Sequence, residues 1–287
     1  MRIRINGLII KNFLTQRTIV RTIASTPCSY SKMAPKTVFI TGANRGIGLG
    51  IVRELLKNSE IETIIAGARS VENAVELQSL AKSDAARLHT IQFDASNDES
   101  IANSVKQVDQ LVGARGLNLL INNAGVNLPY KTDDVPNRET ILKCIDVNAV
   151  GALLTSQHFL PLLQRAASLS GDDQLSASRA AIINIGSDCS SQTLNITGFC
   201  NNTLVAYKMS KVAMLSFARS LVADFETLKV PVLVTTIHPG WVLTDMGGPD
   251  ADITVEESAS KIVNSIDRLN STHHGGLFDR QLGVMPF

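Results

Sequence analysis

Tyr207 and Lys211 stand four residues apart in the segment Ala206-Tyr-Lys-Met-Ser-Lys211. On a helix that spacing puts both side chains on one face. The pattern of Met209, Val212, Ala213, Leu215 and Phe217 behind Tyr207 reads as such a helix. A free tyrosine titrates at about 10, too high for a base at neutral pH, and a neighbouring ammonium lowers it by favouring the phenolate. A pair tuned in this way can give a proton to an oxygen that gains negative charge, and can take it back in the reverse direction. The developing alkoxide of a reduced carbonyl is one such oxygen, and it also needs hydrogen-bond donors close by. Tyrosine and lysine at this spacing are common on helices, so the rest of the chain must decide whether the pair is chemical.

A second feature supplies context. Thr41-Gly42-Ala43-Asn44-Arg45-Gly46-Ile47-Gly48 follows an apolar run, Thr37–Thr41, and opens a helical stretch. A dinucleotide pyrophosphate needs backbone N–H groups at a helix N-terminus with no side chains in the way. Gly42 would make the turn, Gly46 would admit the phosphates, and Gly48 would let helix and strand pack closely. The spacing, Gly-x3-Gly-x-Gly, is one residue off the usual GxGxxG, and its position between strand and helix is what gives it weight. The second apolar run ends Ala66-Gly67-Ala68-Arg69, without the acid that NAD sites place there for the ribose hydroxyls. Arg69 and Arg45 instead offer guanidinium forks suited to a 2′-phosphate. The expected cofactor is therefore NADP(H) rather than NAD(H). Asp94, followed by Ala95, ends the third run. It is placed either to meet the adenine amine or to serve a turn or helix cap, since Asn97 and Glu99 follow.

The elements that must position these groups read as alternating strands and helices. The apolar runs are Thr37–Thr41, Thr63–Ala66, Leu88–Phe93, Leu117–Ile121, Ala181–Ile185 and Val232–Ile237, with Gly276–Phe278 a weaker seventh. They are rich in Val, Ile and Leu and lack period-two alternation, as strands buried on both faces do. Helical patterning lies between them, for example at Ile51, Leu55 and Leu56, or at Ile101, Val105, Val108, Leu111 and Val112. This alternation predicts an α/β fold, a doubly wound parallel sheet of about seven strands flanked by helices. Polar Ser168–Ser178 and the long stretch Ser190–Thr203 read as loops, the second close to the proposed chemistry.

Composition narrows the classes. The 287 residues can bury one α/β core. Residues 1–33 carry six basic and no acidic residues, which leaves the body with 21 basic against 26 acidic. A mildly acidic body is a poor nucleic-acid binder, and no apolar stretch is long enough to span a bilayer. Cys28, Cys144, Cys189 and Cys200 form no CxxC pair and read as free thiols, and no metal site is expected. The expected organisation is a leader, 1–33, before a single domain, 34–287. The leader suits a mitochondrial transit peptide, or a disordered extension upstream of a start at Met33 that would give a cytoplasmic chain.

Taken together, Thr41–Gly48, Asn122-Asn123-Ala124-Gly125, Asn148, Ser187, Tyr207-x3-Lys211 and Pro239-Gly240 stand in an order that resembles the Rossmann-type short-chain dehydrogenase/reductases across residues 36–287. Within them, Met33-Ala-Pro-Lys-Thr-Val, Ala206–Lys211 and the short Phe-ended tail are similar to the C-factor-like, sniffer-type carbonyl reductases. The resemblance implies an enzyme that interconverts a carbonyl and an alcohol. It implies that Asn148 holds a water in a proton relay, Ser187 binds the substrate oxygen and Tyr207 is the acid or base. Lys211 would bind the ribose hydroxyls and lower the tyrosine pKa. Asn122 and Asn123 would steady the central sheet, Ala124 and Gly125 would lie beside the nicotinamide ribose, and Pro239, Gly240, Val242 and Thr244 would meet the carboxamide. One departure stands out. Ser187 precedes Tyr207 by 20 residues, farther than is usual in the family. Either Ser190–Thr203 holds an insertion, with Gly198-Phe199-Cys200 lining the pocket, or Ser190 or Ser191 replaces Ser187. His238 reads as a loop or packing residue. Steroid or retinoid alcohol oxidation on the same residues, and a cofactor-binding sensor without turnover, are the competing functions. The partner is a small carbonyl or alcohol, and a homo-oligomer is open because the helices of this fold can pair.

Overall fold

The computed structural model describes residues 33–171, 173–195 and 204–287. Residues 1–32 of the leader, Cys28 among them, and the stretch Gly198-Phe199-Cys200 lie outside the described residues. Seven strands form one sheet: β1 Thr37–Thr41, β2 Thr63–Ala68, β3 Leu88–Gln92, β4 Leu119–Asn122, β5 Ala181–Ile185, β6 Leu233–His238 and β7 Leu277–Asp279. Their order is β3-β2-β1-β4-β5-β6-β7, and every pairing is parallel. Parallel neighbours need crossover helices. These are α1 Gly46–Leu56, α2 Val75–Ser83, α3 Asp98–Val112, α4 Arg138–Ile145, α5 Gly151–Ser168, the one-turn α6 Gln192–Asn195, α7 Val205–Leu228 and α8 Val255–Ile266. The expected doubly wound parallel sheet is the observed one.

The absence of alternation in the strands has a direct cause, since both faces are buried. In β1, Val38 and Ile40 point into one apolar layer, with Ile51 and Leu55 of α1 and Ile262 of α8. Phe39 points into the other, with Ile101 and Val108 of α3, Phe159 of α5 and Phe225 of α7. Its ring stacks on Phe159 with centroids 4.8 Å apart and meets Phe93 edge-on at 5.5 Å. Gly67 in β2 makes room for this group, because a Cβ there would lie 2.9 Å from Phe93 Cβ.

Expected and observed strand ends differ where hydrogen bonds leave the ladder. Leu117 turns its N–H to Leu162 O, 3.0 Å away, so β4 begins two residues later than the apolar run. Conversely Gly67 and Ala68 still pair with Ile91 and Gln92, which carries β2 past Ala66. Chain order reverses between β2-β1 and β1-β4, and ligands of such sheets bind in the crevice outside the carboxyl ends at that point. Truncating Phe39 to alanine should cost about 3–5 kcal/mol, because the cavity would open between two helix-packed rings, and urea unfolding of the variant measures it.

Candidate active site

A cleft of about 410 Å³ lies outside the carboxyl ends of the strands. At one end is the glycine loop, Gly42 and Asn44 to Gly48, with Arg69 after β2 and Phe93 to Ser96 after β3. At the other end are Ile185 and Gly186 of β5, Tyr207 and Lys211 of α7, and Pro239. Asn123 to Val126 join the two, and Leu243 to Met246 form part of the wall beyond β6.

The loop is shaped by what glycine lacks. Gly42 has φ +65°, a conformation other residues seldom adopt, and a Cβ on Gly48 would stand 2.3 Å from Gly42 O. No side chain caps the first turn of α1 and no acidic residue lies in it. Its first N–H groups therefore have no side-chain acceptor of their own. Arg45 reaches across to Asp245, with Nη1 2.6 Å from Oδ2, both side chains well exposed. Nothing in the sequence marks Asp245 as a partner, since the two are 200 residues apart. Asp94 lines the cleft, and its Oδ1 also accepts the N–H and hydroxyl of Ser96 at 2.9 Å. Asn97, not Asp94, caps α3.

Several expected site residues sit off the cleft wall. Asn122 is buried, and its amide donates to Ser156 Oγ at 3.0 Å and Asn184 Oδ1 at 2.9 Å, so it ties β4 to β5 and α5 rather than facing a ligand. The wall position belongs to Asn123, whose Nδ2 donates to Thr41 O and Gly42 O at 2.9 Å and locks the glycine loop to β4. Val242 is buried, and Gly240, at φ +86°, packs against Ile253 and Arg280. Leu243 and Met246 are wall residues that the motif reading did not include.

Around Tyr207 the packing is dense. Lys211 is buried, and its Nζ donates to Ile185 O at 2.8 Å and lies 5.6 Å from the centre of the Tyr207 ring. Burial pushes its pKa from 10.5 down to about 8, opposed by nearby Cys189. Asn148 lies in a π-helical turn, Asp146–Val150, the kind of widened turn that recurs at functional sites. Its Oδ1 accepts Val126 N–H at 2.7 Å, and its Nδ2 donates to Val126 O and Ser210 Oγ at 2.8 Å. Both amide protons are spent, so the side chain clamps the loop after β4 to α7. Of the three candidate serines, Ser190 gives its hydroxyl to Ser187 O at 2.5 Å, and Ser191 accepts Leu194 N–H at 3.1 Å. Ser187 is the first residue beyond the Gly186 that ends the wall at β5. His238 is mostly buried, and burial lowers its pKa while Asp188 opposes the shift.

An open parallel sheet with a glycine loop between β1 and α1, and a cleft at its switch point, defines a Rossmann-type α/β protein. Residues 36–253 match the family model for short chain dehydrogenases, and the chain belongs to that family. Similar solved structures include a protein of Caenorhabditis elegans described as a carbonyl reductase, Sniffer, at 43% identity and TM-score 0.80, covering 89% of this chain and all of that one. The NADPH-bound carbonyl reductase from chicken fatty liver is 33% identical with TM-score 0.83, covering 89% and 95% of the two chains. Bovine short-chain dehydrogenase/reductase family 9C member 7 is 29% identical over 76% of this chain, and that match spans 61% of the relative's own length. An uncharacterised oxidoreductase of Schizosaccharomyces pombe is 28% identical over 88% of this chain and 98% of its own.

A lysine whose pKa is lowered on folding binds fewer protons folded than unfolded. Its penalty is full below about pH 8 and fades as pH rises toward 10.5. Lys211→Met should therefore be more stable than wild type by about 2 kcal/mol at pH 7, with the gain shrinking between pH 8 and 10 in urea titrations.

Proposed function

We propose that this chain is an NADP(H)-dependent oxidoreductase that interconverts a small carbonyl compound and its alcohol, with residues 34–287 as the catalytic domain. One observation carries the reading. A single cleft runs from an uncapped glycine loop and Arg69 to the Tyr207–Lys211 pair. The kinship with carbonyl reductases, one of them NADPH-bound, supports it.

The residues present fit the cofactor. The first-turn amides of α1 suit a pyrophosphate, the missing Cβ atoms of the loop leave backbone accessible, and no acid follows β2 to favour an unphosphorylated ribose. Arg69 would pair with the 2′-phosphate, and so would Arg45 once it leaves Asp245. Asp94 and Ala95 would border the adenine, and Ala124, Gly125, Pro239 and Thr244 would border the nicotinamide half. When bound, NADPH supplies the hydride. Tyr207 holds the proton for the oxygen that becomes alkoxide and takes it back in oxidation. The Lys211 ammonium, charged below about pH 8, favours the phenolate and reaches the ribose hydroxyls. Ser187 stands beside the reacting oxygen. Asn148 positions α7 against the loop after β4.

A screen of NADPH consumption with quinones, aldehydes and steroids tests the proposal. Tyr207→Phe should lower kcat/KM by at least about 100-fold while NADPH still binds. NADPH binding without turnover of any carbonyl would replace the enzyme by a cofactor-binding sensor. Arg69→Ala should weaken NADPH about tenfold and leave NADH unchanged by fluorescence titration, since only the former carries the phosphate that the guanidinium meets.

A further inference from the structure

Arg45 lies in the glycine loop between β1 and α1, and Asp245 lies in the loop after β6. Both line the cleft. The two loops meet at adjacent points. Arg45 Nη1 lies 2.6 Å from Asp245 Oδ2. Beside that pair, a Cβ on Gly46 would stand 3.3 Å from Thr244 Cγ2. The loop that carries Asp245 is held by its own hydrogen bonds. Thr244 Oγ1 donates to Val242 O at 3.2 Å and accepts the Gly247 N–H at 3.0 Å. Gly248 N–H donates to Thr244 O at 2.9 Å, and Leu243 N–H donates to Ile253 O at 2.8 Å. Trp241 Nε1 donates to Gly247 O at 2.8 Å. The carboxylate therefore stands on a fixed backbone, and the long Arg45 side chain is the movable partner.

The cleft also holds Arg69, which makes no ion pair among the described residues. Of the two guanidinium groups read as ligands of the 2′-phosphate, one is thus free and the other is already engaged. The engagement is weak, because both Arg45 and Asp245 are mostly exposed and water screens them. A phosphate monoester carries a charge of about −1.5 to −2 at neutral pH and offers three acceptor oxygens to a guanidinium fork. A carboxylate carries one charge. The phosphate therefore takes Arg45 from Asp245, and part of what it gains is lost in breaking the ion pair. A nucleotide without that phosphate leaves the pair as it is.

We propose that Asp245 is a specificity-determining residue that competes with the 2′-phosphate of NADP(H) for Arg45. The inference rests on the reading of Arg45 as a phosphate ligand. The Arg45–Asp245 pair is a strap between the glycine loop and the loop after β6. NADP(H) opens it by exchanging partners, and NAD(H) leaves it closed. The exchange lowers the affinity for NADP(H) alone, so it narrows the preference that Arg69 creates. It also gives Arg45 a partner to return to when the cofactor leaves.

The experiment titrates wild type, D245N, R45A and R45A/D245N with NADPH and NADH by fluorescence, and with 2′,5′-ADP and 5′-AMP by calorimetry. Each pair of nucleotides differs by the 2′-phosphate. D245N keeps the shape of the side chain and removes its charge. It should tighten NADPH and 2′,5′-ADP about two- to fivefold, the range of an exposed ion pair, and leave NADH and 5′-AMP unchanged. In the R45A background the same substitution should bring no gain. Weaker or unchanged NADPH binding in D245N, an equal gain for NADH and 5′-AMP, or an undiminished gain without Arg45 would each overturn the assignment. Wild type that binds 2′,5′-ADP no better than 5′-AMP would overturn the NADP(H) reading itself, and this one with it.

Discussion

The buried ammonium of Lys211 is the constraint that the site is organised around. A lysine taken out of water loses hydration worth several kcal/mol, and a fold keeps one only by giving it partners. Here the partners are Ile185 O, at the carboxyl end of β5, and the ring of Tyr207 one helical turn away. That requirement fixes α7 against the end of β5 rather than elsewhere along the sheet. Cys189 and the 3₁₀ turn after β5 follow, because they stand where the ammonium can feel them. The lowered pKa is the visible remainder of a cost that packing alone would not incur.

A helix held at one point can still rotate or slide. Asn148 removes that freedom by binding both the N–H and C=O of Val126 and the hydroxyl of Ser210, which itself donates to Tyr207 O at 2.7 Å. The π turn is what aims Asn148 at these groups from the junction of α4 and α5. Asn123 does the matching work at the other end of the cleft, bonding the glycine loop to the end of β4. The buried Asn148 and the partly buried Asn123 thus brace the segment after β4 at both ends of the cleft. Asn123 spends its amide on backbone, and Asn148 divides its own between backbone and the Ser210 hydroxyl, which holds loops that no ladder reaches.

Local signals carried most of the architecture. Strands buried on both faces announce themselves through unbroken Val, Ile and Leu, and all seven lie within two residues of the apolar runs at their starts and ends. The glycine loop was legible because its constraint is covalent: only glycine takes the Gly42 angle or the Gly48 approach. Tyr207 and Lys211 were legible through helical spacing. What the sequence could not display was direction. Asn122 and Asn123 are adjacent and chemically identical, yet strand alternation turns the first toward α5 and leaves the second, beyond the strand end, to reach the glycine loop. Val242 is buried and Gly240 lies off the cleft lining, while Leu243 and Met246 line it. Pairings such as Arg45 with Asp245 join segments that only the finished fold brings together.

The same distinction applies to the serine. Its unusual separation from Tyr207 poses a question of identity among Ser187, Ser190 and Ser191, and hydrogen-bond accounting answers part of it. Ser190 gives its proton to Ser187 O, and Ser191 caps the short helix that follows. Their hydroxyls build the turn that carries Ser187. A motif records which residue type a position needs, whereas the orientation of a hydroxyl depends on its neighbours' lone pairs. In this chain the neighbour is a carboxylate one residue on, fastened to β6 through His238. Residue type alone therefore does not fix the conformation of the serine; the hydrogen bonds of its turn do.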